Sequence, residues 1–273
     1  MNGKIIGADH ESHHVFDILH NNTSNVDPLI HSTDTHGTNE VNFAILEVFG
    51  YTFAPRYKAV NKRNRLIYSF KSPEKYKGCV IKPARKLKRK LIVDEWNNQK
   101  RIFLSLALRT TTQSTIVRKL SSYKRQNRTK LALWEFDNII KSIYVLKYID
   151  SEIMRKDVQK AINRGEAYHK LRRAVFYANL GKFKVKTELE QQIWIECNRL
   201  VCNAIIFYNT FLLSRLFERL KSEGRISEAE KFARISPIAW RHINLYGIYN
   251  FRNLGSELNP EEIINELINQ SGY

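Results

Sequence analysis

Cysteine is scarce in this chain. Three of 273 residues are Cys79, Cys197 and Cys202, too few for a disulfide scaffold. Cys197 and Cys202 lie five apart on an expected helix, so about 140° separates them around its axis. They form no Cys-x-x-Cys pair, and the expectation is three reduced thiols. Glycine (11) and proline (6) are also few, which excludes collagen-like and low-complexity classes. Long hydrophobic runs are missing. The most apolar stretch, Leu200 to Leu213, is broken by Asn203 and Asn209 and falls short of the ~20 residues of a membrane span. No leader pattern opens the chain, because Asp9 and Glu11 follow at once on the short run from Lys4 to Ala8. These absences lead us to expect a soluble cytoplasmic protein with no membrane association.

Acidic residues are unevenly withheld. Residues 1–54 carry net −6 and residues 254–273 carry net −4, so the overall +18 leaves +28 on residues 55–253. Charge of that size on one region points to a polyanion partner, DNA or RNA, rather than to an anionic membrane, since no basic amphipathic terminal helix is present. The 43% hydrophobic content excludes whole-chain disorder and supports one large domain or two small ones.

Hydrophobic periodicity places strands at Lys4–Ala8, Pro28–Ser32 and Tyr51–Ala54. Helices are expected over His10–His20 and from Thr38 to Phe49. The pattern is α/β, with a thin sheet. Residues 55–91 read as a basic, loop-rich stretch. Helices are then expected at 94–108, 113–122, 127–148, 152–162, 164–180, 188–222, 226–233 and 259–269. The fold class is therefore α/β with predominantly helical content.

Four constellations could carry chemistry. Asp34, in Ser32-Thr-Asp-Thr-His-Gly37, ends an expected strand, where α/β enzymes place metal-binding carboxylates; an Asx turn uses the same residues. Glu166, in Asn163-Arg-Gly-Glu166, has the spacing of a helix-capping box. It also shares a helical face with Lys170 and Arg173, with Arg172 beside them, and that suits a metal next to a phosphate backbone. Two Glu-x-x-His pairs, Glu11 with His14 and Glu166 with His169, resemble half of a di-iron bundle site, which needs two further buried glutamates on long helices. Lys124, Arg125, Arg128 and Lys130 interleave with Asn127 and Thr129 in a basic turn suited to phosphate contacts. The stripe Trp194, Cys197, Val201, Ala204, Ile205, Tyr208, Phe211 and Leu212 reads as a helix core.

The strings themselves carry a resemblance. HSTDTHGTNEVNFAILEVFGYTFAPRYK is similar to the second catalytic motif of the Tn3 family of DDE transposases, the enzymes of replicative transposons. NRGEAYHKLRRAVFYANLGKF resembles the family's glutamate helix. SSYKRQNRTKLALWEFDNIIKSIYVLKYID and SPIAWRHINLYGIYNF resemble the segments between the motifs and near the family's end. The resemblance runs from about residue 4 to about residue 252. It implies a retroviral-integrase-like RNase H core with a helical insertion and C-terminal helices. It also implies two Mg²⁺ ions held by three carboxylates, of which Asp34 is the second aspartate and Glu166 the glutamate. His36 and His169 would orient rather than ligate. The family's first aspartate motif has no counterpart around Asp9, Asp17 or Asp27, so the core is expected to be incomplete and the chain inactive alone. The implied organisation is a partial sheet over 1–60, a basic loop and helical insertion over 61–160, the glutamate helix and C-terminal helices over 161–252, and an acidic tail over 253–273. Expected partners are transposon-end and target DNA, a second copy in the intact enzyme, and a separately encoded N-terminal half. A non-enzymatic DNA-binding fragment is the alternative, with a di-iron helical protein more remote.

Overall fold

Helix formation is set by caps, several of them supplied from far along the chain. In the computed structural model, residues 10–34, 39–58, 66–122, 127–176, 182, 184–248 and 259–270 are described. They fall into two compact units, Met1–Ile162 and Asn163–Tyr273.

The first unit begins with a 3-10 turn at Glu11–His13, then α1 (Val15–His20), β1 (Ile30–His31), α2 (Asn42–Val48) and β2 (Thr52–Phe53). β1 and β2 pair in parallel, Ile30 opposite Thr52 and His31 opposite Phe53, with α2 as the crossover. A second parallel pair joins β3 (Tyr68–Ser69) to β4 (Arg85–Lys86) inside the stretch expected to be loop. Helices α3 (Arg89–Asp94), α4 (Trp96–Ala107), α5 (Gln113–Ser122) and α6 (Arg128–Asp150) follow. The helix expected at 94–108 is α4, and α3 is an additional short helix that begins in the stretch expected to be loop; the two meet at Glu95. The Glu95 carboxylate is spent on accepting bonds from Asn98 Nδ2, Thr129 Oγ1 and Arg128 Nε, which hold it below the usual carboxylate range.

α6 is the axis of this unit. Asn127 caps it, its side chain accepting from the Lys130 amide at 3.0 Å. Ala132, Leu133, Tyr144, Val145 and Tyr148 are buried along it, with Phe43, Ile45 and Leu46 of α2, Phe16 of α1 and Phe103 of α4 in the same core. Short helices around it borrow their caps. α2 has no cap from Val41; instead the Ala44 amide donates to Asp137 Oδ1 of α6 at 3.0 Å, and Asn39 Oδ1 accepts from the Val41 and Asn42 amides. At α5 the Gln113 and Ser114 amides donate to the Asp17 carboxylate of α1, at 2.8 and 3.4 Å. The fully buried Gln113 side chain accepts from the Phe16 amide and donates to Asn42 Oδ1 and the Ser12 carbonyl. These bonds satisfy helix-end donors that would otherwise be lost to burial.

α7 runs unbroken from Glu152 to Val175, and the boundary between the units falls within it. This corrects the expected break at 163–164. Asn163 and Glu166 both lie in a helix interior, so the capping-box reading fails. Asn and Gly each cost at most ~1 kcal/mol in a helix, too little to end one of 24 residues.

The second unit continues with α8 (Glu188–Ser222), α9 (Ile226–Phe232) and α10 (Pro260–Gln270). A capping box opens α8. The Glu190 amide donates to Thr187 Oγ1 at 3.3 Å and the Thr187 amide to Glu190 Oε2 at 3.4 Å. Two small clusters hold the unit. Leu171, Cys202, Ile205 and Leu245 form one; Leu216, Leu220, Ala229 and Ile264 form the other. Burial pushes the Cys202 thiol up to about 11, so it packs as an apolar group. Asn209 pins the following segment, its amide donating to the Pro237 and Ala239 carbonyls at 2.8 and 2.6 Å, with Oδ1 2.9 Å from His242 Nε2. The expected core stripe is only partly core. Ile205 is buried, whereas Trp194, Cys197, Val201, Ala204 and Phe211 are exposed. With Leu200 at 71% and Phe207 at 74% exposure, α8 shows solvent an apolar face opposite its buried one. By length and composition α8 could cross a membrane, but its buried asparagines are bonded to neighbouring segments of a folded unit.

The strand expected at Lys4–Ala8 lies outside the described residues. Those described are mostly helical with four two-residue strands, and a complete RNase H sheet is not seen among them.

Candidate functional site

Asp34 is positioned by the parallel ladder. Three bonds extend it past the strands: the Thr52, Ala54 and Arg56 amides donate to the Leu29, His31 and Thr33 carbonyls, each at 2.8 Å. The last bond fixes the residue directly before Asp34, whose carboxylate is half-buried. His31 is largely desolvated beside the Phe53 ring, and that burial lowers its pKa. It is therefore held neutral and is a packing group. Arg56 stands at the Asp34 end of the neighbouring strand, its Nη1 donating to Gln159 Oε1 at 3.5 Å. Its place was readable only from the β1–β2 register, and sequence patterning did not single it out. His36 lies outside the described residues, as do Lys124 and Arg125.

Glu166 lies on the exposed side of α7. Lys170 and Arg173 follow at four and seven residues, on the same face by helical geometry, and both are exposed. His169 is exposed beside them. Arg172 is turned elsewhere. Its Nε donates to Asn198 Oδ1 of α8 at 3.4 Å, and Asn198 Nδ2 donates back to the Arg172 carbonyl at 3.1 Å. Asp34 belongs to the first unit and Glu166 to the second.

The remaining cations of the basic turn are already engaged. Arg128 pairs with Glu95 at 3.2 Å and with Asp94 at 3.7 Å. Lys130 Nζ lies 4.6 Å from the centre of the Trp134 ring. Of the aspartates preceding Asp34, Asp17 is consumed as the α5 cap, with its pKa raised by burial. Asp27 is exposed in a loop. Asp9 lies outside the described residues. Glu11 sits in a three-residue 3-10 turn and is exposed, so the long helix with a buried glutamate that a di-iron site requires is not there.

The Tn3 transposase DDE domain, as a family profile, matches residues 1–249. The chain belongs to the Tn3 transposase family. It is 32% identical over 251 residues to the transposase for transposon Tn2501 of Escherichia coli, covering 92% of this chain and 25% of that protein. The transposase for transposon Tn1546 of Enterococcus faecium is 31% identical over 242 residues, 88% of this chain and 24% of the relative. The transposase for transposon gamma-delta of Escherichia coli K12 is 28% identical over 246 residues, 90% and 24% respectively. The chain spans about a quarter of the length of these curated relatives.

A DDE domain implies a divalent metal, usually Mg²⁺. The donor chemistry of this Tn3-family chain suits it, since carboxylate oxygens are the ligands of a hard cation. The number of donors does not: among the described residues no group of three or more His, Cys, Asp or Glu is placed to hold a metal. The fit is therefore incomplete, and no reaction step is derived through the ion.

Proposed function

We propose that this chain supplies the second aspartate, Asp34, and the glutamate, Glu166, of a DDE transposase that cleaves and transfers DNA strands at transposon ends. The observation that carries the reading is the family match over residues 1–249, with the Asp34 motif at the end of a parallel strand and Glu166 on a long helix, in the family's order. The RNase H-like core, the helical insertion and the four-part organisation given by the sequence belong to the same reading. The roles of Asp34 and Glu166 are to hold Mg²⁺ in the intact enzyme. Mg²⁺ held there would supply Lewis-acid charge neutralisation at a phosphate. Lys170 and Arg173, exposed on the glutamate's face, neutralise nearby phosphate charge, while Arg172, bonded to Asn198, braces the helix that carries them. Lys124 and Arg125 add contacts to the DNA backbone, while Arg128 and Lys130 stay with Glu95 and the Trp134 ring. On this reading the chain alone is inactive, because the family's first aspartate motif has no counterpart in its sequence. The first aspartate comes from an N-terminal part of the transposase, and the working enzyme is a homodimer in the cytoplasm.

The test is a graft. The matching C-terminal quarter of the Tn2501 transposase is replaced with this chain, and transposition is counted in cells. Transposition by the graft, abolished by Asp34→Ala and by Glu166→Ala, is the expected result. Transposition that survives either substitution removes that residue from the site. A DNA-binding role without catalysis is supported by the +28 of residues 55–253. It predicts salt-sensitive DNA binding by the chain that both substitutions leave intact.

A further inference from the structure

A cavity of about 420 Å³ opens in the first unit among Tyr57, Tyr68, Trp134, Asn138, Arg85 and Lys141. Its volume lies in the ~300–1,000 Å³ range of small-ligand sites, and neither the sequence motifs nor the carboxylates account for it.

Three features narrow what it takes. First, its walls are aromatic and planar. Four aromatic residues, Phe43 among them, and a guanidinium line one space, with Arg85 Cζ 4.6 Å from the centre of the Tyr68 ring. Rings and guanidinium planes are the surfaces on which unpaired bases stack.

Second, Asn138 brings an unspent amide. It is 8% exposed and lines the cavity, and among the described residues its side chain makes no hydrogen bond, while its main-chain carbonyl accepts from Ser142 Oγ. A carboxamide presents a donor and an acceptor side by side, the pair that reads the edge of a base.

Third, the cations are already balanced. Arg85 pairs with Glu135 at 2.9 Å, and Lys141 Nζ lies 3.6 Å from Asp137 Oδ2. Glu40 stands exposed among the lining residues. The cavity thus has no net positive charge to spend on a phosphate. It suits a neutral, flat, hydrogen-bonding group.

We propose that this cavity receives an unstacked nucleobase, with Asn138 bonding its edge and the aromatic walls stacking its faces. The inference rests on the reading of the chain as a DNA-acting protein and names the form of substrate it holds: a strand with one base turned out.

The test uses the purified chain and single-stranded oligonucleotides carrying one 5-iododeoxyuridine. Binding is followed by anisotropy at low salt, and ultraviolet cross-links are mapped by mass spectrometry. Cross-links in peptides holding Tyr57, Tyr68 or Trp134 are expected. Asn138→Leu should cut them about tenfold, a loss on the scale of one base-edge contact, while overall binding changes less than about twofold because the backbone contacts lie elsewhere. Should Asn138→Leu fail to fold, Leu66→Trp, which fills the cavity from its wall, serves in its place. Oligonucleotide binding with cross-links only outside the cavity overturns the proposal and leaves the DNA reading standing. Absence of oligonucleotide binding overturns the DNA reading instead. A titration with free 2-aminopurine deoxyriboside then decides the cavity by itself: saturable quenching that Asn138→Leu removes makes the ligand a free nucleoside, and no quenching overturns the base site.

Discussion

The two units spend their apolar residues differently. In the first, helices gather around α6, and buried polar groups are tied into the core: Gln113 to three partners, Glu135 to Arg85, Asp137 to Lys141 and the α2 amides. In the second, two small clusters hold α8 along one side while its other side shows apolar residues to solvent. The same kind of helix, long and rich in aliphatic residues, is thus an axis in one unit and a half-covered rib in the other. Composition alone cannot separate these outcomes, because both helices are apolar around much of their circumference. The difference lies in how many neighbours the rest of the chain supplies.

Three measurements can break or sharpen that contrast. The largest effect is expected at the axis. Leu133→Ala empties a fully buried site on α6 and should cost about 3–5 kcal/mol in denaturant unfolding. The same change at Leu216 in the smaller cluster should cost less, about 2–3 kcal/mol, because fewer neighbours are left facing the gap. Equal costs would mean that the two cores are equally tight.

Next comes pH. Burial pushes Asp137 up to about 6 from an ordinary 3.8, outweighing Lys141 and the Ala44 and Phe43 amides, which pull it down. The folded state therefore holds a proton that the unfolded chain has lost, and stability falls as pH rises between about 4 and 6. At ~1.4 kcal/mol per unit, the fall from this group is about 3 kcal/mol. Asp17 is raised by burial too and adds to the same slope. Unfolding of Asp137→Asn across this window should show a markedly flatter dependence. An unchanged slope would assign the effect to other groups.

The smallest effect is expected in the second unit. Asn209→Ala leaves the Pro237 and Ala239 carbonyls without their donor and should cost about 1–3 kcal/mol. Hydrogen exchange in residues 236–245 should rise with it. A loss confined to global stability, with that segment still protected, would show that other contacts hold it.

Much of the helical half was legible in the sequence, and the reasons are local. α5 and α8 were read at their observed ends, α8 from its long apolar pattern. α6 was extended by two residues past its expected end. Errors came where a local signal was weak against a longer one. Asn163, Gly165 and Glu166 look like a helix start, yet α7 runs through them. The β3–β4 pair escaped notice because two residues of pairing leave no alternation to read. The site was legible as motifs, Asp34 and Glu166, but not as surroundings. Arg56 beside Asp34 depends on strand register. The cavity at Asn138 depends on β3, β4 and α6 meeting, which no spacing along one segment reveals.

The borrowed caps have a consequence for how this protein comes into being. α2, with seven residues, and α5, with ten, are shorter than the ~12–15 residues that isolated helices need. Their terminal amides wait on carboxylates 93 to 97 positions away. Neither helix is secure until those distant loops close, and loop closure of that length slows folding. During synthesis, then, the N-terminal stretch emerges with its apolar residues uncovered and stays so until α6 has left the ribosome. The Asp34 strand is among the first parts of the described chain to be made, and among the last to be fixed in place.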